Sequence, residues 1–164
     1  MPIEKIQQPE IINIDTELRL RKFDNEYSFA YDWYQDEETI KLVDGIDSEK
    51  YDFNKLSRMY EYLNDRGELY YIEVLDKNRF VPIGDVTFSK EDMPIVIGDK
   101  NYQGKGIGKK VVKALIKRAE ELGYKEIKVG EIYTYNIASQ RLFESVGFRK
   151  SGNTANGFSY TLIL

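Results

Sequence analysis

At 164 residues the chain is long enough for one domain and too short for two independent hydrophobic cores. Its net charge of −4 argues against a nucleic-acid partner bound through a broad basic surface, and the absence of cysteine excludes disulfides, thiolate metal sites and cysteine nucleophiles. Histidine is absent too, which excludes a Ser-His-Asp triad and a histidine-ligated metal centre. Any general base must therefore be Asp, Glu, Lys, Tyr or a water chain.

Cellular location is addressed by the apolar runs and the N-terminus. No apolar run approaches the roughly 20 residues needed to span a bilayer. The first residues, Met1–Lys5, lack the basic-then-apolar pattern of a signal peptide. We therefore expect a cytoplasmic enzyme or binding protein with no membrane partner, no nucleic-acid partner and no metal site.

The N-terminal third is predicted to be an arm, a strand and three helical pieces. Residues 1–12 carry two prolines and no clear period, so we expect a loosely held arm. Alternating apolar residues predict a first strand over Ile12–Phe23. Helical spacing follows over Tyr27–Tyr34, Glu37–Leu42 and Phe53–Leu63.

The rest of the chain alternates between strand and helix patterns. The predicted strands are Glu68–Leu75, Phe80–Ser89, Met93–Gly98 and Ile127–Tyr135, the predicted helices are Gly104–Leu122 and Ile137–Val146, and Phe148–Leu164 is predicted as a closing hairpin. The order β-α-α-α-β-β-β-α-β-α-β-β predicts a single mixed α/β domain over residues 1–164.

A glycine-rich segment follows the third of these strands and opens a helix. Gly104, Gly106 and Gly108 let the backbone approach a ligand closely, and the first N–H groups of a helix bind anions. Lys105 and Lys109 add positive charge suited to phosphates. An ordinary flexible connection is the alternative. A Walker loop and a dinucleotide-binding fingerprint are both rejected, because Lys109 stands where each needs its last glycine.

Two blocks resemble the GNAT N-acetyltransferase family. The segment Gln103–Gly108 (QGKGIG) resembles the family's (Gln/Arg)-x-x-Gly-x-(Gly/Ala) signature, and Asn136–Phe148 (NIASQRLFESVGF) is similar to its Asn-x-x-(Ala/Ser)…Gly-Phe helix. The resemblance covers residues 68–164 well and is weaker before them. It implies a twisted central mixed sheet of about six to seven strands with helices on both faces. It also implies that the two central parallel strands, Met93–Gly98 and Ile127–Tyr135, splay apart.

The resemblance further implies acetyl-CoA as the acetyl donor, bound by residues 68–164, with the helices of residues 13–67 on the acceptor side. The implied contacts are backbone groups of Ile95, Val96 and Ile97, the loop Gln103, Gly104, Lys105, Gly106, Ile107, Gly108 and Lys109, and then Asn136, Ser139 and Phe143. Asn136 also suits a helix N-cap, and the two roles are compatible.

Direct transfer to an amine needs a polarised carbonyl and a proton donor for the thiolate. The resemblance implies that a main-chain N–H at Val96 or Ile97 polarises the carbonyl. Many family members carry Tyr where Phe143 stands, so Ser139, one helical turn earlier, becomes the candidate donor. Tyr133 and Tyr135 are alternatives, and Ser139 alternatively serves as a small residue that admits the thiol.

Glu131 is the leading candidate for the general base. Strict alternation places it on the apolar face of its strand, unless Gly130 forms a bulge that displaces it. Asp92 and Glu91, at the start of the neighbouring strand, are the next candidates, and Asp85 or water remain open.

The acceptor is expected to be a primary amine of a small cationic molecule or of a protein N-terminus. Residues 33–39 and 42–45 look like the early helices of the ribosomal-protein N-terminal acetyltransferases and the aminoglycoside 6′-N-acetyltransferases, where they wall the acceptor cleft. Trp33, Asp92 and Glu131 are the predicted acceptor contacts. The alternative function is a catalytically weak acyl-CoA-binding sensor or partner module, and a homodimer is compatible with either.

Overall fold

The computed structural model describes residues 2–164, in which eight strands form two antiparallel sheets. The five-stranded sheet contains, in spatial order, β1 (Ile11–Asn13), β2 (Leu18–Lys22), β3 (Glu68–Asp76), β4 (Arg79–Phe88) and β5 (Ile95–Ile97). The three-stranded sheet has the order β6 (Glu126–Tyr133), β8 (Gly157–Ile163), β7 (Arg149–Asn153). The mixed α/β class is confirmed, whereas one continuous sheet of six to seven strands is not what the hydrogen bonds form.

Four α-helices and a longer 3-10 segment accompany the strands within residues 2–164. They are the 3-10 segment Ser28–Gln35 and the helices α1 (Glu37–Asp44), α2 (Phe53–Arg66), α3 (Ile107–Glu121) and α4 (Ile137–Ser145). Asp36 and Asp52 cap α1 and α2 by accepting the N–H groups of Thr39 and Lys55. None of the helices in this part of the chain is long and apolar enough to cross a membrane.

Two hydrophobic clusters cover the two faces of the five-stranded sheet. Along β3, Tyr70 and Ile72 point into the cluster that contains Val111 and Leu115 of α3. The alternate residues, Leu69 and Tyr71, point into the cluster formed with the 3-10 segment, α1 and α2. Because successive side chains of a strand face opposite ways, β3 reads as a continuous apolar run buried on both sides. Helices therefore lie on both faces, as expected.

The N-terminal region differs from the expectation of a loose arm and one long strand. Asp15 accepts the Glu17 N–H and closes a turn, so Ile12–Phe23 divides into the hairpin β1–β2. Gln8 is buried, and its side-chain amide donates to the Leu69 carbonyl at 2.9 Å. The described part of the arm, residues 2–12, is thus attached to the edge of β3.

Strand β5 is short for two local reasons. Pro94 precedes it and has no N–H to donate, although its carbonyl still accepts the Thr87 N–H at 3.0 Å. On β4, a Cβ at Gly84 would lie 2.1 Å from the Val96 carbonyl oxygen, so only glycine permits this close approach. The result is a short β5 held tightly to β4, with its other edge available.

A buried ion pair joins β3 to α3 and supports a stability prediction. Glu68 is fully buried and accepts from Arg118 Nη2 at 2.7 Å and from the Tyr70 hydroxyl at 2.9 Å. Glu68→Gln leaves Arg118 without its counter-charge, so we expect the free energy of unfolding to fall by about 3 kcal/mol. Urea unfolding measures this loss of stability. The control is Glu121→Gln, which removes an exposed carboxylate from α3, the helix that carries Arg118. Equal stability of the two variants would contradict the prediction.

Candidate active site

A cleft opens where the two sheets separate, between β5 and β6. The segment before β5 and the first half of β6 are joined by hydrogen bonds from the Lys128 N–H to the Lys90 carbonyl (2.9 Å) and from the Gly130 N–H to Asp92 Oδ1 (3.0 Å). Lys128 bonds to Lys90 and Gly130, two residues later, bonds to Asp92, also two residues later, so the two segments run parallel. Farther on, no ladder joins β5 to β6 in the described chain, and a cleft of about 180 Å³ lies between them.

The cleft brings together many of the residues singled out in the sequence. Its walls include Asp92, Ile95, Val96, Glu131, Asn136, Ser139 and Phe143. Leu42 and Val43 of α1 also line it and were not predicted individually. They fall inside the segment that resembles an acceptor wall, which was the available signal.

The free edge of β5 presents backbone groups to the cleft. Bonds from the Gly98 N–H to the Ile83 carbonyl and from the Thr87 N–H to the Pro94 carbonyl flank the Asp85–Val96 pair. Antiparallel ladders alternate between bonded and non-bonded pairs, so Val96 bonds to β4 while the N–H and carbonyl groups of Ile95 and Ile97 face away from it. Of the two predicted carbonyl-polarising groups, the geometry therefore favours the Ile97 N–H.

The glycine-rich loop connects this strand to an uncapped helix. Gly104 and Gly106 adopt φ of 70° and 79°, and a Cβ on either would meet no atom within 4 Å. No side chain caps the α3 N-terminus, so its first N–H groups are open to an anion. The Gln103 side-chain amide donates to the Ile97 carbonyl at 2.8 Å, which fixes the loop to β5.

Three lysines surround the loop, and one of them is already engaged in an ion pair. Lys105 and Lys109 are exposed. Lys110 instead pairs with Asp15 of the β1–β2 turn, Nζ to Oδ2 at 2.9 Å. Ile107 packs into the core, and a Cβ on Gly108 would come within 3.3 Å of Leu142 of α4. Lys105 and Lys109 are thus the predicted lysines that remain available for phosphates.

Asp92 sits where the two strands part. Its Oδ1 accepts the N–H groups of Gly130 and Met93, each at 3.0 Å. The residue keeps contact with solvent, yet the surrounding protein atoms remove enough water to raise the pKa of its carboxyl, while the two N–H groups act in the opposite direction. A carboxylate with a raised pKa at a cleft wall is a stronger base than an ordinary aspartate and suits a role in proton transfer.

Glu131 also lines the cleft, but not from the apolar face that strict alternation predicts. The β6–β8 register shifts between Val129 and Ile132, both buried, and Gly130 and Glu131 are exposed between them. The bulge at Gly130 is therefore the correct alternative. Glu131 Oε2 accepts the Asn156 N–H at 3.1 Å, which orients the side chain from the neighbouring hairpin.

The N-terminus of α4 forms another wall. Asn136 caps the helix by accepting the Ser139 N–H at 3.2 Å, so the capping role is present. Ser139 and Phe143 follow on the cleft side, and Phe143 packs edge-on against Phe148 with ring centroids 5.1 Å apart. The Ser139 hydroxyl is the polar group that this helix face offers to the cleft.

Two tyrosines near the C-terminal end of β6, Tyr133 and Tyr135, have different surroundings. Tyr133 lines the cleft, and burial raises the pKa of its hydroxyl. Tyr135 stacks on it at 5.4 Å, and its own hydroxyl donates to the Lys41 carbonyl of α1. Tyr135 therefore ties α1 to this side of the cleft, and Tyr133 is the better placed of the two for chemistry.

Two predicted residues lie behind the cleft. Trp33 is buried against the Gly98 backbone, where an added Cβ would lie 2.2 Å from the indole Cγ. Asp85 is buried on the α2 side of β4 and accepts two tyrosine hydroxyls. Neither lines the cleft, so neither is placed to touch an acceptor.

Comparison with known proteins agrees with this architecture. Residues 27–148 match the model of the acetyltransferase (GNAT) family. The chain belongs to the GNAT family. The membership inferred from the QGKGIG loop and the Asn136–Phe148 block is thereby confirmed.

One curated GNAT relative is a probable spermine N(1)-acetyltransferase of Bacillus subtilis subsp. natto. It is 47% identical over 55 residues, which cover 33% of this chain and 36% of the relative. The match thus spans about a third of that relative's length.

Solved structures share the GNAT fold over nearly the whole chain. A domain from Methanocaldococcus jannaschii has a TM-score of 0.78 and 24% identity, covering 92% of this chain and 100% of that one. A Salmonella typhimurium enzyme that modifies the N-terminal serine of ribosomal protein L7/L12 has a TM-score of 0.71 and 18% identity, covering 94% of this chain and 99% of that one. AAC(6′)-Ib in complex with paromomycin and acetyl-CoA has a TM-score of 0.70 and 15% identity, covering 89% of this chain and 93% of that one. Both groups expected from the sequence are represented, and at these identities the likeness shows the fold alone.

Proposed function

We propose that this GNAT protein is an acetyl-CoA-dependent N-acetyltransferase that acts on a primary amine of a small cationic molecule or of a protein N-terminus. One observation carries the proposal. The cleft beside β5 holds two carboxylates, Asp92 and Glu131, and the Gln103–Ile97 hydrogen bond ties the uncapped start of α3 to the same strand. The strand and the helix start suit an acyl-CoA, and the carboxylates suit an amine.

The residues present fit acetyl-CoA. The open N–H groups of α3 and the unobstructed glycines Gly104 and Gly106 suit a pyrophosphate, and Lys105 and Lys109 suit further phosphate oxygens. The outward backbone groups of Ile95 suit the amides of a pantetheine arm. Acetyl-CoA supplies the activated acetyl group, and the AAC(6′)-Ib neighbour was crystallised with it.

The chain's own groups then cover the needs of acyl transfer. The amine must lose a proton to a carboxylate before it attacks, and we assign to the Ile97 N–H the stabilisation of negative charge on the carbonyl oxygen. A carbon–nitrogen bond forms and the carbon–sulfur bond breaks. The leaving thiolate takes a proton from a hydroxyl, for which Ser139 and Tyr133 are the cleft candidates.

The two carboxylates are proposed to have different roles, Asp92 as the general base and Glu131 as a group that binds the acceptor. Reduced solvation raises the pKa of the Asp92 carboxyl, which makes it a stronger base than an ordinary aspartate. Glu131, exposed and oriented through Asn156, is suited to hold a cationic acceptor. Either carboxylate can serve as the base in principle, and their variants separate the roles.

The proton donor is tested with a matched pair on α4. Ser139→Ala is expected to lower kcat by about a hundredfold if the hydroxyl protonates the thiolate. Its control is Ser145→Ala, whose hydroxyl bonds the Leu142 carbonyl away from the cleft. Steady-state rates of CoA release with saturating acceptor measure the difference. If Ser139→Ala retains the wild-type rate and Tyr133→Phe loses it, Tyr133 is the donor.

The acceptor class is supported by the acids and by the relatives' names. Two carboxylates on one cleft favour a positively charged molecule. Spermine, an N-terminal serine and paromomycin, named for the relative and neighbours above, all carry primary amines. CoA release measured with polyamines, aminoglycosides and N-terminal peptides tests the function directly.

A second candidate function is favoured by Phe143. It occupies the position where many family members carry a tyrosine, and it is buried against Phe148. A catalytically weak acyl-CoA-binding module would bind acetyl-CoA tightly and release no CoA with any amine of that panel. Turnover with even one amine would exclude it.

A further inference from the structure

Asp85 is the one buried carboxylate without a cation in the part of the chain that the structure describes. Glu68 pairs with Arg118, and Glu73 pairs with Arg19 and Arg21. Asp85, 2% exposed, instead accepts hydroxyl protons on Oδ2 from Tyr34 at 2.7 Å and Tyr60 at 2.9 Å. A buried charge is costly unless it is compensated, so an uncompensated one calls for an explanation.

The position of Asp85 connects it to the cleft. It pairs with Val96 across the β4–β5 ladder, in a hydrogen-bonded pair whose Cα atoms lie about 5.5 Å apart. Side chains of such a pair share one face of the sheet. Val96 lines the cleft, so the Asp85 carboxylate lies directly behind one of its walls.

Among residues 2–164, no positively charged side chain pairs with Asp85 from the side away from the cleft. Asp85 pairs with Tyr71 of β3, and Tyr71 pairs in turn with Arg21 of β2. The Arg21 guanidinium is already bonded to Glu73 and Asp24, each at 2.8 Å. The groups packed on Asp85 from the 3-10 segment and α2 are the neutral hydroxyls of Tyr34 and Tyr60. The Asp85 carboxylate, one β4–β5 pair from the cleft wall, therefore has no counter-ion among these neighbours.

We propose that Asp85 is a positioning residue of the acceptor site, whose buried carboxylate attracts a cationic amine toward Val96 and so favours cationic over neutral acceptors. This inference rests on the proposed function, in which the cleft receives an amine. The acceptor's own ammonium group supplies the positive charge that the fold omits. Charges separated by protein are screened less than charges in water, so the attraction acts through the wall.

The test uses Asp85→Asn, whose side-chain oxygen still accepts both hydroxyls while the charge is removed. Calorimetry measures binding of spermidine and of a neutral alkoxyamine to the CoA-saturated protein. Spermidine affinity is expected to fall about tenfold, as for charges roughly 10 Å apart in partly buried surroundings, with alkoxyamine affinity unchanged. Equal spermidine affinity of wild type and variant would overturn the inference.

Tyr60→Phe gives a second readout that a purely structural role would not move. Burial raises the pKa of Asp85 to about 6, and the hydroxyls of Tyr34 and Tyr60 oppose that rise. Removing one hydroxyl raises the pKa further, so spermidine affinity should match wild type at pH 8 and decline at a higher pH on acidification. Asp92 and Glu131 are present in the cleft of both proteins, so their contribution cancels in the comparison, and the raised pKa values of Tyr34 and Tyr60 keep these tyrosines neutral.

The outcomes are separable. An unshifted pH profile in Tyr60→Phe overturns the inference, and this comparison decides alone if Asp85→Asn does not fold. If spermidine does not bind the wild type, the inference fails. The proposed function still stands in that case if another amine releases CoA. If no amine does so while spermidine affinity depends on Asp85, the proposed function fails and this electrostatic role remains.

Discussion

Asp92→Asn is expected to lower kcat/KM for the acceptor by at least about a hundredfold, the usual minimum contribution of a positioned general base. The amide cannot take a proton from the attacking amine. It can still accept the Gly130 and Met93 N–H groups through its oxygen, so the geometry at the parting of β5 and β6 is retained. Steady-state kinetics with saturating acetyl-CoA measures the loss.

The pH dependence gives the sign of the effect. Reduced solvation raises the pKa of Asp92, so its carboxylate is protonated, and unable to act as a base, at pH values where an ordinary aspartate is ionised. Wild-type kcat/KM should therefore rise with pH through the Asp92 pKa. In Asp92→Asn this acid limb should disappear from the profile.

The control is the adjacent acid. Glu91→Gln removes an exposed carboxylate that lies 4.0 Å from Lys128 Nζ, and its rate should stay near wild type. If Asp92→Asn keeps its activity while Glu131→Ala loses both its rate and its acid limb, Glu131 is the base. An unchanged rate and pH profile in Glu131→Ala would instead remove Glu131 from the proton transfer.

Gly106→Glu is expected to abolish the stabilisation that CoA confers. At a CoA concentration 100-fold above Kd, binding stabilises the folded state by about 2.7 kcal/mol, which corresponds to a rise in Tm of roughly 5–10 °C. A glutamate at the mouth of α3 places a carboxylate where an anionic ligand must sit. Thermal unfolding with and without CoA measures the rise.

Gly123→Glu provides a matched control at the other end of the same helix. Both glycines have left-handed backbones, with φ of 79° and 78°, and an added Cβ meets nothing within 4 Å at either. Each variant should therefore lose similar intrinsic stability, about 1–2 kcal/mol. Gly123→Glu should keep the full CoA-induced shift. A shift that persists in Gly106→Glu would contradict the assignment of the loop.

The elements that were predicted well are those whose signals are local. The 3.6-residue period of α3, the strand run of β3 and the hairpin turn at Asn156–Gly157 all depend on neighbouring residues. The loop Gln103–Gly108 belongs with them, because positive φ angles and an uncapped helix start are properties of a few consecutive residues.

The elements that were predicted poorly depend on what a segment meets. The Ile12–Phe23 strand breaks because Asp15 closes a turn that lets β1 return along β2. Glu131 leaves the apolar face because the bulge forms where Gly130 must reach Asp92. Trp33 suggested an acceptor contact but is packed on Gly98, since an aromatic ring is as useful in a core as in a site.

The sequence by itself determined the family, the glycine-rich loop before α3 and the exclusion of histidine and cysteine chemistry, because composition and short motifs need no tertiary context. Only the tertiary structure decided which acids face the cleft. Asp85, Asp92 and Glu131 are equivalent as letters. Asp85 is buried where β4 pairs with β5, and Asp92 is bonded to Gly130 where β5 and β6 separate. Glu131 is exposed by the bulge in β6. Each outcome depends on contacts between segments distant in the chain, which local periodicity does not encode.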